Sequence, residues 1–205
     1  MNSDHQYGTA YLVETREHEN LDLVLASIDE CLPENWSIKV FCSSGNEKHV
    51  ELALKKLSRC SRIELLKTPL IDQAAYSKLL LNDEFWQGFD TENLLCFQMD
   101  SLFNPKQSAL LKIICQFDYV GAPWSESIQR RWSYIPSLGG NGGVCFSKRS
   151  ARLQALAQAK TPRVVCFEGH SEQALNEDIW FSNAFIELGM NLPSCGQAQQ
   201  LLVES

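Results

Sequence analysis

The chain has 205 residues, 44 % apolar and 21 % charged, which suits one compact domain and excludes disordered, collagen-like and supercharged classes. Eighteen Lys and Arg against 25 Asp and Glu leave a net charge of −7 with neutral histidines, so no nucleic-acid partner gripped by bulk charge is expected. Any bound phosphate needs local help from a divalent cation, a helix N-terminus or a few arginines.

No run of about 18 apolar residues occurs, so no membrane span is predicted. The opening MNSDHQYGTA lacks the basic and apolar regions of a secretory signal, which predicts a cytoplasmic protein. None of the eight cysteines lies within four residues of another, so they read as reduced core thiols rather than zinc half-sites.

Tyr11 to Thr15 reads as a buried strand, and Leu21, Val24, Leu25, Ile28 and Leu32 then recur at helical spacing until Pro33 closes the segment. Trp36 to Cys42 is a second strand. The Ser-Ser-Gly-Asn turn opens a helix bearing Val50, Leu54 and Leu57, and Ile63 to Leu66 is a third strand. This alternation predicts an α/β protein with a mostly parallel sheet and helices on both faces. Ala74 to Phe89 reads as one helix with Tyr76, Leu79, Leu80, Phe85 and Trp86 as its apolar members.

Leu94 to Gln98 is a near-continuous apolar strand that stops at Met99-Asp100-Ser101, where open α/β sheets collect ligands. Leu110 to Cys115 continues as a helix and Tyr119 to Ala122 as a strand, which Pro123-Trp124 ends; SESIQRRWSY reads as a surface loop. Four glycines around Asn141 lead into a strand at Val144 to Phe146, followed by a helix from Ser150 to Ala159 and an apolar run from Val164 to Phe167. Asn176 caps the last helix, whose stripe is Phe181, Phe185 and Leu188, with Glu177 and Asp178 in its first turn. No repeat or linker divides the chain, so residues 1–205 form one domain.

Four features carry possible chemistry. Asp100 at a strand end either ligates a hard cation or hydrogen-bonds the following backbone. The GGNGG run either makes a tight turn or lets a ligand approach the main chain. Glu177 and Asp178 either complement the helix dipole or serve as a general base toward a hydroxyl. Glu14-Thr15-Arg16 is either a solvated charged loop or a contact for a phosphate and a base. The four histidines make no HxH or HExxH, and no GxSxG occurs, which excludes the usual zinc and serine hydrolases.

Taken in order, FQMDSLF, DYVGAPW, GGNGGVCFSKRS, NEDIWFS and the terminal AQQLLVE, with YLVETREHENLDLVL and LLLNDEFW before them, resemble the DUF5672 family. Its members are glycosyltransferase-like with a GT-A type fold, here a Rossmann-like three-layer sandwich. The resemblance implies a nucleotide-diphosphate sugar donor, a glycan or other hydroxyl acceptor, and a divalent cation, Mn²⁺ or Mg²⁺, on Asp100. That residue stands at the last acidic position of the family's Asp-x-Asp motif, with Gln98 replacing the first. Asp178 falls at the catalytic base of related inverting enzymes, with Glu177 as neighbour and possible substitute. Glu14, Thr15 and Arg16 would flank the nucleotide; Tyr76, Met99, Ser101 and Trp124 join the donor set; Asn141, Gly142 and Gly143 would line the sugar or acceptor side. No histidine follows His170 to serve as the late metal ligand, which is therefore either missing or replaced, with Glu204 as the candidate. The competing readings are a sugar-nucleotide or glycan-binding module without catalysis, and a nucleotidyltransferase.

Overall fold

The structure is a computed structural model that describes residues 7–67, 69, 72–103, 108–131, 134–165 and 173–202. Phe167, His170 and Glu204, named above, lie outside the described residues.

Six strands form the central sheet: β1 (Gly8–Val13), β2 (Trp36–Cys42), β3 (Ser61–Leu65), β4 (Asn93–Cys96), β5 (Tyr119–Ala122) and β6 (Asn141–Lys148), in the order β3-β2-β1-β4-β6-β5. The first four run parallel, and β6 is antiparallel to both β4 and β5. Side chains alternate across the sheet as the strand period demands. Ala10, Leu12, Ile38, Val40, Leu95, Phe97, Val120 and Phe146 pack on one side with α1 (Leu21–Cys31), α2 (Glu47–Leu54) and α5 (Ser108–Ile114). Tyr11, Phe41, Leu94, Cys96, Tyr119 and Cys145 pack on the other with α4 (Asp83–Gln87), α7 (Arg149–Gln158) and α8 (Glu177–Glu187). Burial on both faces is why these strands read as continuous apolar runs. Trp36, Trp86, Trp180 and Trp124 are all core residues, whereas Cys60 is exposed and so departs from the core-thiol reading.

Three elements differ from the sequence reading. The segment 74–89 is two helices, α3 (Gln73–Leu80) and α4, because the Asn82 side chain accepts from Glu84 N and starts a new helix. The Trp86 indole then donates to the Leu80 carbonyl at 2.7 Å, satisfying the end of α3. The stretch read as a surface loop holds α6 (Glu126–Arg131), whose described side chains include none that are buried, so no apolar stripe marks it. A last helix, α9 (Cys195–Leu201), is set by a capping box between Ser194 and Gln197. A two-stranded pairing of β7 (Val164–Val165) with β8 (Gln173–Ala174) precedes α8.

Candidate active site

Neighbouring parallel strands β1 and β4 end side by side, and the chain leaving each turns into the same crevice. After β1, Glu14 is buried and accepts from Arg16 N, Nε and Nη2, each at 2.9 Å. Burial alone would raise this carboxyl, but the hydrogen bonds and charge of Arg16 outweigh it and hold Glu14 below the usual range. The Asn46 amide fixes the loop by donating to the carbonyls of Glu14 and Arg16 at 2.9 and 3.0 Å. After β4, Gln98 N donates to Ser101 Oγ, so Ser101 is a buried turn residue that shapes the loop bearing the exposed Asp100.

Between these loops lies a cleft of about 550 Å³, lined by Glu14, Thr15, Arg16, Tyr76, Gln98, Met99 and Asp100 among others. The seven predicted residues named here therefore share one cavity. Leu12, Val13, His18, Asn20, Asp72 and Gln73 complete its wall. Of these the sequence reading used only the apolar ones, as core; nothing in their spacing marks a shared wall, because the sheet order brings them together.

Because β6 runs antiparallel to β4, its N-terminal residues lie beside the carboxyl end of β4. A methyl group on Gly143 would lie 3.5 Å from Gln98 Oε1, and one on Gly142 would lie 3.2 Å from Asp178 Cβ. Gly142 N donates to Asp178 Oδ2 at 3.3 Å, and Ile179 N to Asp178 Oδ1 at 2.7 Å. Asn141 accepts from Gly143 N at 2.7 Å and shapes the same edge. The neighbouring Glu177 is buried and accepts from Ser77 Oγ and from Gln73 Nε2 of α3. Burial, then repulsion from Asp178, push Glu177 up to about 6; Asp178 is also raised, again by burial first.

The carboxylate pair thus adjoins the cleft through Gln73, which lines it and donates to Glu177, while Gln98, also in the wall, lies by Gly143, next in the chain to the Gly142 that meets Asp178. Trp124 joins neither group; it packs in the core around α8 instead of offering a face to the cleft. Ser77, which holds Glu177, carries no sequence signal, since it is one of many helix serines.

For a divalent cation the chain offers hard oxygens but few of them. Among the described residues no cluster of three His, Cys, Asp or Glu forms a ready cage. Asp100 and Asp72 are the cleft carboxylates besides Glu14, which Arg16 already engages. Such a donor set fits a cation held by one or two carboxylates and completed by substrate phosphate oxygens.

The fold is a GT-A-like α/β sandwich. It is similar to the mannosyltransferase PcManGT from Pyrobaculum calidifontis, solved with GDP-Man and Mn²⁺, at 13 % identity and a TM-score of 0.62 over 91 % of this chain and 54 % of that one. It is also similar to TarS 1–349 from S. aureus, at 12 % identity and a TM-score of 0.54 over 87 % of this chain and 54 % of that one. The TarS complex with UDP-GlcNAc matches at 11 % identity and the same TM-score, over 87 % of this chain and 52 % of that one. The chain spans about half the length of these structures. No curated protein sequence matches it. By sequence it belongs to the DUF5672 family of proteins of unknown function, whose model matches residues 60–205.

Proposed function

We propose that this chain is a glycosyltransferase that moves a sugar from a nucleoside diphosphate to an acceptor hydroxyl. The observation that carries the reading is the adjacency of a strand-end cleft bearing Asp100 to a paired carboxylate at the start of α8, linked by the cleft residue Gln73, which donates to Glu177. Proteins with the same fold bind GDP-Man and UDP-GlcNAc, which supports a nucleotide-sugar donor.

In this reading Glu14, Thr15 and Arg16 flank the nucleotide, and Asp100 lies on the diphosphate side. A divalent cation, when bound there, neutralises the charge that develops on the departing diphosphate. The acceptor hydroxyl enters beside Asn141, Gly142 and Gly143. Its oxygen forms a bond to the anomeric carbon as the bond from that carbon to the diphosphate oxygen breaks, inverting the centre. The proton passes to Asp178. Each Asp178 oxygen accepts one backbone N–H, which orients the carboxylate and leaves lone pairs for that proton. Glu177 is turned toward Ser77 and Gln73 and tunes its neighbour.

The test is incubation of the full chain with a panel of nucleoside diphosphate sugars and Mn²⁺, reading release of nucleoside diphosphate. Slow release from one donor supports transfer. A melting shift without release from any donor assigns the cleft to binding alone.

A further inference from the structure

Arg152, on α7, is 3 % exposed, yet no carboxylate among the described residues forms an ion pair with it. Its guanidinium carbon lies 4.1 Å from the ring centre of Phe181, 4.9 Å from those of Trp86 and Tyr119, and 5.5 Å from that of Phe185. Nη2 donates to Cys145 Sγ at 3.6 Å, and Nε has no hydrogen-bond partner. Arginine keeps its proton in a protein, so this is a full positive charge taken out of water. Aromatic faces and a sulfur offset only part of that desolvation.

The cage shares α8 and β6 with the candidate base. Phe181 lies four residues after Glu177 and three after Asp178, so all three stand within one turn of α8. Cys145 lies three residues after Gly142, whose N–H meets Asp178. The other titratable groups around the cage are phenols and thiols. Tyr11 from β1 and Tyr119 from β5 are raised by burial, and Cys96 from β4 is raised by its hydrogen bond with Cys145. That same bond first, and then the Arg152 charge, lower Cys145 on β6, the thiol that accepts from Arg152. Facing Glu177 from α3 are the uncharged Gln73 and Ser77, together with Tyr76, whose phenol is raised by burial first. Burial is opposed on Glu177 by the Ser77 hydrogen bond and a backbone N–H, on Asp178 by backbone N–H groups, and on both carboxyls in addition by the charge of Arg152.

We propose that Arg152 is a positioning residue of this site: from inside its aromatic cage it supplies the positive potential that keeps the Glu177 and Asp178 pair anionic. The functional consequence rests on Asp178 being the base; the electrostatic one does not.

The experiment is a carboxyl ¹³C NMR titration of Glu177 and Asp178 in the full chain, for the unmodified protein, Arg152→Met and Arg152→Lys. Both carboxyls are expected to be ionised at pH 8 in the unmodified protein, to titrate at higher pH in Arg152→Met, and to return toward their original values in Arg152→Lys. If donor hydrolysis occurs, its rate at pH 6 relative to pH 8 falls up to about tenfold in Arg152→Met and recovers in Arg152→Lys. A folded Arg152→Met with unchanged carboxyl titrations overturns the proposal. Should Arg152→Met not fold, the unmodified protein decides, because a carboxyl of the pair still protonated at pH 8 also overturns it. Absence of release from every donor counts against glycosyl transfer, and the titrations still judge the role of the charge.

Discussion

Two adjacent carboxylates at the start of α8 have different surroundings, and those differences set what each can do. Glu177 is enclosed and raised to about 6, so at neutral pH it must ionise against burial. Its contribution to stability is fully present below the ordinary carboxylate value and is lost as pH rises through about 6. Glu177→Gln keeps an acceptor for Ser77 and removes the charge. It should therefore raise stability at pH 8 by about 2 kcal/mol or less, with the gain vanishing near pH 4. Urea unfolding at the two pH values measures this, and a gain independent of pH would contradict a buried, ionising Glu177. Asp178 is more open and oriented by two backbone donors. Asp178→Asn should lower turnover by about 10²–10⁴-fold while sparing donor affinity. Retained turnover would move the base to Glu177. The sequence placed both residues in a first helical turn, but a choice between them needs Ser77 and Gln73, which lie about 100 residues away.

The glycine-rich run answers at the level of elements a question the sequence left open. Gly139 and Gly140 have φ of +94° and +148°, and a methyl on Gly140 would lie 2.5 Å from Ala122 O and the Gly121 carbonyl carbon. Tyr119 Oη donates to Gly140 O, and Gly140 N to Ser182 Oγ. These two glycines thus let the main chain pass closely between β5 and Ser182 of α8 as it enters β6, while Gly142 and Gly143 bring β6 against Asp178 and Gln98. Gly140→Ala should cost about 2–4 kcal/mol in chemical unfolding, since backbone rather than a flexible side chain blocks the new methyl. A loss below about 0.5 kcal/mol would mean the backbone there relaxes freely. Apolar runs revealed the strands because both sheet faces are buried. The break before α4 is made by one side chain, Asn82, and the box that starts α9 by two, Ser194 and Gln197, and so they leave no periodic trace.

Across the whole molecule, charge limits how an anionic donor can bind. The net charge is −7, and the cleft wall carries Glu14, Asp72 and Asp100 against Arg16, whose guanidinium is already held by Glu14. A diphosphate entering this field meets repulsion unless a cation comes with it. The alternating β-α pattern announced a sheet with a ligand crevice, but not its strand order. That order, with β6 inserted antiparallel beside β4, is what sets the cleft next to the α8 carboxylates. Saturation by the correct donor at about 100 times Kd with Mn²⁺ should stabilise the fold by about 2.7 kcal/mol, a melting shift of about 5–10 °C. Chelation, or Asp100→Ala, should remove most of that shift. Without the divalent ion, residual binding should strengthen as monovalent salt rises from about 0.01 to 0.15 M, because screening weakens the repulsion. A shift that survives chelation and declines with salt would mean that the diphosphate is held by positive side chains, and the cation role given to Asp100 would fall.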